Sequence, residues 1–348
     1  MTLLSPATGE WIALPGTARR VWELLDYPCG IEGVTEALAG EFDAPEDEIR
    51  GDVEQLAARL AGHGLVEVVE AEAAPIRDRY LSLLKKSVAN LLYPELELQI
   101  RHLQEGASGL SGIALERFQR DIAERWPAEH ARLLDAKQQG LAPLRSAHTM
   151  IGLARLRNIE HCAEQVFADG IAGDFLEAGV CKGGATIFMR GLQIAYGEGS
   201  RKTWVVDSFE GVPPSIDPAD ARYGFHLDEA CSPWLACGEA AVRDHFARYG
   251  LLDTRVEFVP GWLAESLPGA GIGDLAILRI DVDLYSATRD CLDLLYDKVV
   301  PGGFVIVDDY GQLGCCRDAV DDFRERRGVA EPIRWIDGSG IYWRKGAA

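Results

Sequence analysis

Glu177-Ala178-Gly179-Val180-Cys181-Lys182-Gly183-Gly184-Ala185-Thr186 closes a short apolar run, Phe175 to Ala178, and opens a helical pattern. A strand that passes through a glycine-rich turn into a helix is the repeating joint of α/β proteins. Downstream the joint recurs: apolar runs at Thr203 to Val206, Val256 to Val259, Leu275 to Ile280 and Phe304 to Val307 alternate with helical stretches. That alternation predicts a doubly wound, mostly parallel sheet with helices on both faces. The last two runs, Pro332 to Ile336 and Ile341 to Trp343, are separated by Asp337-Gly338-Ser339-Gly340 and read as an antiparallel hairpin.

Glycines at the first turn let backbone approach a ligand, and the helix that follows offers free amide donors. Neither G-x-G-x-x-G nor G-x-x-x-x-G-K-[ST] occurs, which removes the usual dinucleotide and triphosphate signatures. Asp207 ends the second run, where a carboxylate accepts hydrogen bonds from both hydroxyls of a ribose. With the closing hairpin, these features favour S-adenosylmethionine over NAD and give the outline of a class I methyltransferase. The fourth run ends in Asp281-Val-Asp283 and the fifth in Asp308-Asp309. If those two strands are neighbours, Asp281, Asp308 and Asp309 converge at the carboxyl edge of the sheet. Three carboxylates that close need a counter-ion, and Mg2+ with its preference for oxygen ligands supplies one. Asp283 or Ser286 is placed to cap a helix from Ala287 to Val299.

Upstream, residues 1–70 show a short strand, Trp11 to Leu14, three helical stretches and a closing strand, Leu65 to Val69. The stretches start near Thr17, at Ile31 to Phe42 and at Glu46 to Ala61, a winged-helix outline. Four basic residues stand against fourteen acidic ones there, and the third helix carries Glu46, Asp47, Glu48, Asp52 and Glu54. Phosphates would meet the wrong sign, so DNA is not the expected partner. Residues 71–75 are small and acidic, a linker. Helical periodicity resumes from Ile76 to Leu92 and again after Leu115, with an interruption expected at Pro127. Ser146 to Gly152 reads as the polar start of a helix running to Val166, and residues 76–170 as a helical lid beside the ligand.

Two resemblances attach to these residues. The spacing of Trp11, Leu25, Asp26, Ile31, Leu38, Phe42, Ile49, Asp52-Val53, Leu56, Leu60 and Gly64-Leu65 resembles the PqqD family, winged helices that capture the leader of a precursor peptide by strand addition. The chain starts late for that family's first hairpin strand. From Ile76 to Trp343 the chain resembles the TylF/MycF macrocin O-methyltransferases, which methylate sugar hydroxyls on macrolides. The matching motifs are Tyr80 to Lys86, His148 to Gly152, Ala168 to Gly170 with Gly173-Asp174, Glu177 to Arg190, Asp207 to Gly211, Asp281 to Tyr285 and Pro301 through Tyr310. Cys181-Lys182 stands where that family usually has tryptophan and arginine. The resemblance implies cofactor contacts at Thr149, Met150, Glu177, Gly179, Gly183, Gly184, Asp207 and Ser208. It also implies Mg2+ on Asp281, Asp308 and Asp309, with Asp281 as general base. The segment from Pro213 to Pro233, which would meet the acceptor, is the least family-like.

Composition bounds the partners. The chain of 348 residues carries 35 Lys+Arg against 55 Asp+Glu, a formal charge of −20, which disfavours nucleic acid and anionic membrane surfaces. No apolar run approaches the roughly 20 residues of a membrane span, and the start has no basic region of a secretory signal, so a cytoplasmic location is expected. The eight cysteines form no C-x-x-C pair and the seven histidines no H-x-x-x-H pair, leaving thiols reduced and zinc without a ligand set. A homo-oligomer, dimer or higher, is expected. A carboxylate acceptor needs no base, so the aspartates point to a hydroxyl. Fusion to a peptide-capture unit makes a ribosomally made peptide the expected acceptor. The alternatives are a deoxysugar hydroxyl on a glycosylated small molecule, a peptide carboxylate, a catechol-type metal-dependent methyltransferase, or a non-catalytic peptide-binding protein.

Overall fold

A computed structural model describes residues 2–4, 11–13, 18, 20, 21, 34, 35, 38, 45–62, 75–102, 111–142, 146–213, 217–223 and 235–346. The chain divides into two compact units, Met1–Ile76 and Arg77–Ala348.

In the first unit β1 (Thr2–Leu4) pairs antiparallel with β2 (Trp11–Ala13), Leu3 opposite Ile12. A first hairpin strand is therefore present, where little room for one was expected. Helix α1 (Glu46–Gly62) buries Ile49, Val53, Ala57 and Leu60, spaced three and four apart, and Ile49 and Val53 join Val21, Val34 and Leu38 in one apolar cluster. Asp47, Glu48, Asp52 and Glu54 are exposed on its other face. Most of the first two expected helices, the closing strand at 65–69 and the linker at 71–74 lie outside the described residues.

The second unit begins with α2 (Ile76–Val88), α3 (Glu95–His102) and α4 (Gly112–Gln139), followed by α5 (Gly152–Ala168). Helix α4 runs straight through Pro127, where an interruption was expected. The proline costs its own N–H bond and crowds the carbonyl four residues before it, and the turns on either side are tied across it by the Arg125–Glu129 pair at 3.2 Å. The segment 146–151 is extended or bent rather than helical, and α5 begins only at Gly152.

Then come β3 (Asp174–Ala178), α6 (Gly184–Ala195), β4 (Thr203–Asp207), α7 (Pro218–Arg222), α8 (Glu239–Arg248) and β5 (Val256–Pro260). The chain closes with β6 (Leu275–Ile280), α9 (Tyr285–Leu295), β7 (Val299–Val307), α10 (Gly314–Arg327), β8 (Arg334–Trp335) and β9 (Ile341–Arg344). The sheet order is β5-β4-β3-β6-β7-β9-β8, with β3 to β7 parallel and β9 antiparallel to both β7 and β8. This is the class I methyltransferase arrangement. Strands β3, β6 and β7 are buried because helices cover both faces, which is why they read as unbroken apolar runs. Strand β7 starts five residues earlier than expected, at Val299, and takes in Pro301-Gly302-Gly303 through a register shift against β6.

From β3 the chain winds one way to β4 and β5, then returns to place β6 on the other side. The crevice at the carboxyl ends of β3 and β6 is the switch point where ligands bind in such sheets. Three non-glycine residues with left-handed backbone, Cys181, Phe209 and Asp283, follow the ends of β3, β4 and β6 along that edge. Among the described residues, no helix is long and apolar enough to cross a membrane.

Candidate active site

The glycine turn forms one lip of the crevice. Gly179 has φ +82°, and a Cβ there would lie 1.8 Å from the carbonyl oxygen of Asp281, so only glycine lets β3 and β6 part this closely. Asp207 braces the turn: its Oδ2 accepts from the amides of Val180 (2.7 Å) and Cys181 (3.1 Å), and its Oδ1 from Phe209 (2.7 Å). Burial raises its pKa, and those three amides oppose the shift. Because a carboxylate oxygen accepts two bonds, Oδ1 keeps capacity for a ligand hydroxyl. Ser208 Oγ is committed locally, donating to the Gly211 carbonyl at 3.0 Å.

Gly184 opens α6, its amide bonded to the His148 carbonyl at 2.9 Å. A Cβ on Gly184 would sit 2.5 Å from that carbonyl, so the chain at His148, Thr149 and Met150 lies directly against the helix start. Thr149 is buried and Met150 half-buried. Gly179, Gly183, Gly184, Thr149, Met150, Asp207 and Ser208 thus belong to one neighbourhood. Glu177 is placed differently. It is fully buried beneath the turn, with Thr186 Oγ1 donating to one oxygen and Arg279 to the other. Burial pushes its pKa up to about 7, although Arg279 and Thr186 pull the other way.

The opposite lip is acidic. Asp281, Asp308 and Asp309 each present a carboxylate oxygen within 4.8 Å of the others. The cluster is larger than the sequence disclosed, because Asp283 is turned inward by its left-handed backbone (φ +59°). Burial, with Asp281 and Asp308 beside it, pushes Asp283 up to about 7. It does not cap α9. The amide of Tyr285, at the start of that helix, donates instead to Asp220 Oδ1 at 2.8 Å, a buried carboxylate from α7. Burial also raises Asp308, and it raises Asp309 well above the ordinary range, with Asp283, Asp281 and Asp308 adding repulsion.

Two guanidinium groups answer part of this charge. Arg279, wholly buried in β6, donates to Glu177, to Asp281 Oδ2 (2.9 Å) and to Asp308 Oδ1. Arg155 of α5 donates to Asp308 Oδ2 and to Asp337 Oδ2 (2.8 Å), pinning the β8–β9 loop, whose Ser339 Oγ donates to the Asp308 carbonyl at 2.8 Å. Five carboxyl groups against two arginines leave negative charge over, and Asp309 Oδ2 is buried without a hydrogen-bond partner. An orphaned carboxylate oxygen among all-oxygen donors fits a hard divalent cation. Asp281 is the member of the trio that reaches solvent, its side chain 26% exposed against 4% for Asp308.

Sequence reasoning missed Arg279, Arg155, Asp283 and Asp220. Arg279 had a signal, a charge inside an otherwise apolar strand that must find carboxylates once buried, and its cross-strand partner is Glu177. Arg155 and Asp220 act across more than sixty residues of sequence and had none. Of the expected acceptor segment, residues 214–216 and 224–233 lie outside the described residues. The described part docks through Tyr223, whose hydroxyl donates to Asp318 of α10 at 2.7 Å.

The chain is similar to known proteins. The Macrocin-O-methyltransferase (TylF) family model matches residues 77–345, and the Coenzyme PQQ synthesis protein D (PqqD) model matches residues 1–66. The chain is 42% identical over 275 residues to the 8-demethyl-8-(2,3-dimethoxy-alpha-L-rhamnosyl)-tetracenomycin-C 4'-O-methyltransferase of Streptomyces olivaceus, covering 78% of this chain and 94% of that one. It is 40% identical over 272 residues to the mycinamicin III 3''-O-methyltransferase of Micromonospora griseorubida, covering 77% and 96%. The solved structure of the O-methyltransferase NovP shares 36% identity with a TM-score of 0.63, over 78% of this chain and all of that one. By the family model over residues 77–345 and by these relatives, the chain belongs to the macrocin O-methyltransferase family and is an S-adenosylmethionine-dependent O-methyltransferase.

Proposed function

We propose that this protein methylates a sugar hydroxyl on a glycosylated small molecule. The observation that carries the reading is the placement of Asp281, which reaches solvent and lies across Gly179 from the glycine turn. The relatives' names support the acceptor class, since one acts on a rhamnosyl tetracenomycin. They favour it over the peptide acceptor expected from sequence.

The turn residues Gly179, Gly183 and Gly184, with Thr149 and Met150 packed against them, would seat S-adenosylmethionine, and Asp207 with Ser208 would take its ribose end. Glu177 supports the turn from beneath through Thr186. The bound cofactor supplies an electrophilic methyl group. Asp281, Asp308 and Asp309 would hold Mg2+, which lowers the pKa of an alcohol that reaches it. Asp281 would accept the hydroxyl proton, with Arg279 fixing its Oδ2. Holding hydroxyl and methyl in line provides much of the acceleration. The reaction takes place in the cytoplasm.

A second reading, a hydroxyl on a ribosomally made peptide, is favoured by the PqqD match and by the β1–β2 hairpin, whose edge is the type of surface that adds a strand. Methyl transfer from labelled S-adenosylmethionine to rhamnosides and to leader-bearing peptides, read by mass spectrometry, separates the two. The sugar reading expects glycoside products, and deletion of residues 1–70 to leave their rate unchanged. Products only on peptides, with efficiency lost on deletion, would replace it.

A further inference from the structure

The trio and its arginines leave one cluster of titratable side chains unused. His148, on the segment that meets Gly184, and His245, on α8, place their ring centroids 4.2 Å apart with a tilt of 32°. His245 Nδ1 lies 2.9 Å from the carbonyl oxygen of Lys182, in the glycine turn. A carbonyl only accepts, so Nδ1 of His245 carries the proton and donates. His148 Nδ1 lies 2.9 Å from the hydroxyl of Tyr249, which in turn receives a bond from Ser87 Oγ at 3.4 Å. The Tyr249 hydroxyl thus ties His148 to Ser87 of α2. Burial pushes His148 down to about 4, with His245, Lys182 and Arg248 adding to the shift and Asp244 opposing it.

The backbone around this cluster is equally committed. The Val88 carbonyl, at the end of α2, accepts from the amides of both His148 and Thr149, at 2.8 and 3.1 Å. The His148 carbonyl takes the amide of Gly184. Four stretches of chain, at 87–88, 148–149, 182–184 and 245–249, therefore meet on two stacked imidazoles. Two of the four form the proposed cofactor seat.

We infer that His245, backed by His148 and Tyr249, is a positioning residue that sets the height of the glycine turn and thereby the affinity for S-adenosylmethionine. His245 acts through the Lys182 carbonyl that it holds, one peptide away from Gly183. Without that donor the turn loses a hydrogen bond that fixes it to α8. The inference rests on reading residues 179–184 as the cofactor seat.

The test is calorimetric binding of S-adenosylhomocysteine to the full chain, so no acceptor is needed. His245→Phe keeps an aromatic ring against His148 but removes the donor, and a loss of about tenfold in affinity is expected. His245→Asn sheds the ring but keeps an amide nitrogen at the position of Nδ1, and affinity within about threefold of the parent is expected. Asn as weak as Phe would overturn the assignment of the Lys182 contact, as would Phe binding like the parent. Should His245→Phe fail to fold in a thermal melt, Tyr249→Phe carries the test. It deletes the hydroxyl that bonds His148 and is expected to weaken binding about threefold; no change overturns the inference. Asp207→Ala serves as the reference: if it binds as tightly as the parent, the cofactor seat itself is misassigned, a failure distinct from that of His245.

Discussion

The two lips of the crevice are built on opposite principles. Along β3 and β4 the chain satisfies itself: Asp207 is met by three backbone amides, Gly184 by the His148 carbonyl and the Lys182 carbonyl by the His245 imidazole. Along β6 and β7 it does not. Among the described residues Arg279 and Arg155 answer Asp281 and Asp308, while Asp309 Oδ2 is buried with no hydrogen-bond partner. Buried polar groups are nearly always paired, so a persistent orphan marks a place where a ligand completes the structure. On the proposed reading the first lip would select its ligand by backbone shape and the second by charge.

The sharpest way to break this contrast is to withdraw the charge partner. In excess EDTA turnover should fall to background and return with Mg2+; full turnover in EDTA would mean that the arginines suffice and the carboxylates are structural. Asp281→Asn keeps volume but removes the base, and kcat should drop about 10²–10⁴-fold. Affinity for S-adenosylhomocysteine should change far less, since that ligand is held by the other lip. Equal losses in both would argue that Asp281 serves binding rather than proton transfer.

A second consequence is a pH dependence of stability. Burial holds Glu177 at about 7, against an ordinary value of 4.5. Between those values the folded protein keeps a proton that the unfolded chain has released, so stability is highest below about pH 4.5 on this account and declines as pH rises to 7. That shift amounts to roughly 3 kcal/mol for Glu177 alone, and Asp283, raised to about 7, acts in the same sense. Melting temperatures in EDTA should therefore fall across this window, less so in Glu177→Gln. Saturating Mg2+ should flatten the slope, because the cation favours the ionised carboxylates. A melting curve indifferent to both pH and Mg2+ would erase the distinction between the lips.

On the self-satisfied lip the expected effects are smaller. Asp207→Ala should weaken cofactor binding about ten- to a hundredfold, measured by calorimetry, and leave the Mg2+ requirement intact.

Much of this was readable before any coordinates. Runs such as Leu275 to Ile280 are buried on both faces, so their composition alone marks them as strands. Glycines and aspartates at the strand ends follow from the same alternation, since the carboxyl edge is where a parallel sheet meets its ligand. What could not be read were contacts between distant segments. Arg155 reaches Asp308, His245 reaches Lys182 and Asp220 reaches Tyr285, each pair joined only by the folded backbone. Local rules also misled where tertiary structure supplied an alternative. Asp283 sits one residue before a helix cap, yet its left-handed backbone turns it into the acidic cluster. Pro127 has helix on both sides strong enough to run past it.

Asp220 offers the finest division of the two lips, because it is a buried carboxylate near the acidic edge that the chain itself satisfies. It accepts the first amide of α9, a capping bond supplied by a neighbouring segment rather than by the preceding residue. Asp220→Asn retains an acceptor oxygen and loses only the interaction of its charge with the helix N-terminus, about 0.3–1 kcal/mol. Asp220→Ala loses the bond as well, about 1–2 kcal/mol. Thermal melts of the two variants separate these contributions. In both, the rise in melting temperature on adding Mg2+ should match that of the parent, since Asp220 is not among the carboxylates left short of a partner. If Asp220→Ala abolished that rise, the unsatisfied charge would extend beyond β6 and β7, and the cation would have to be placed between the acidic edge and α7.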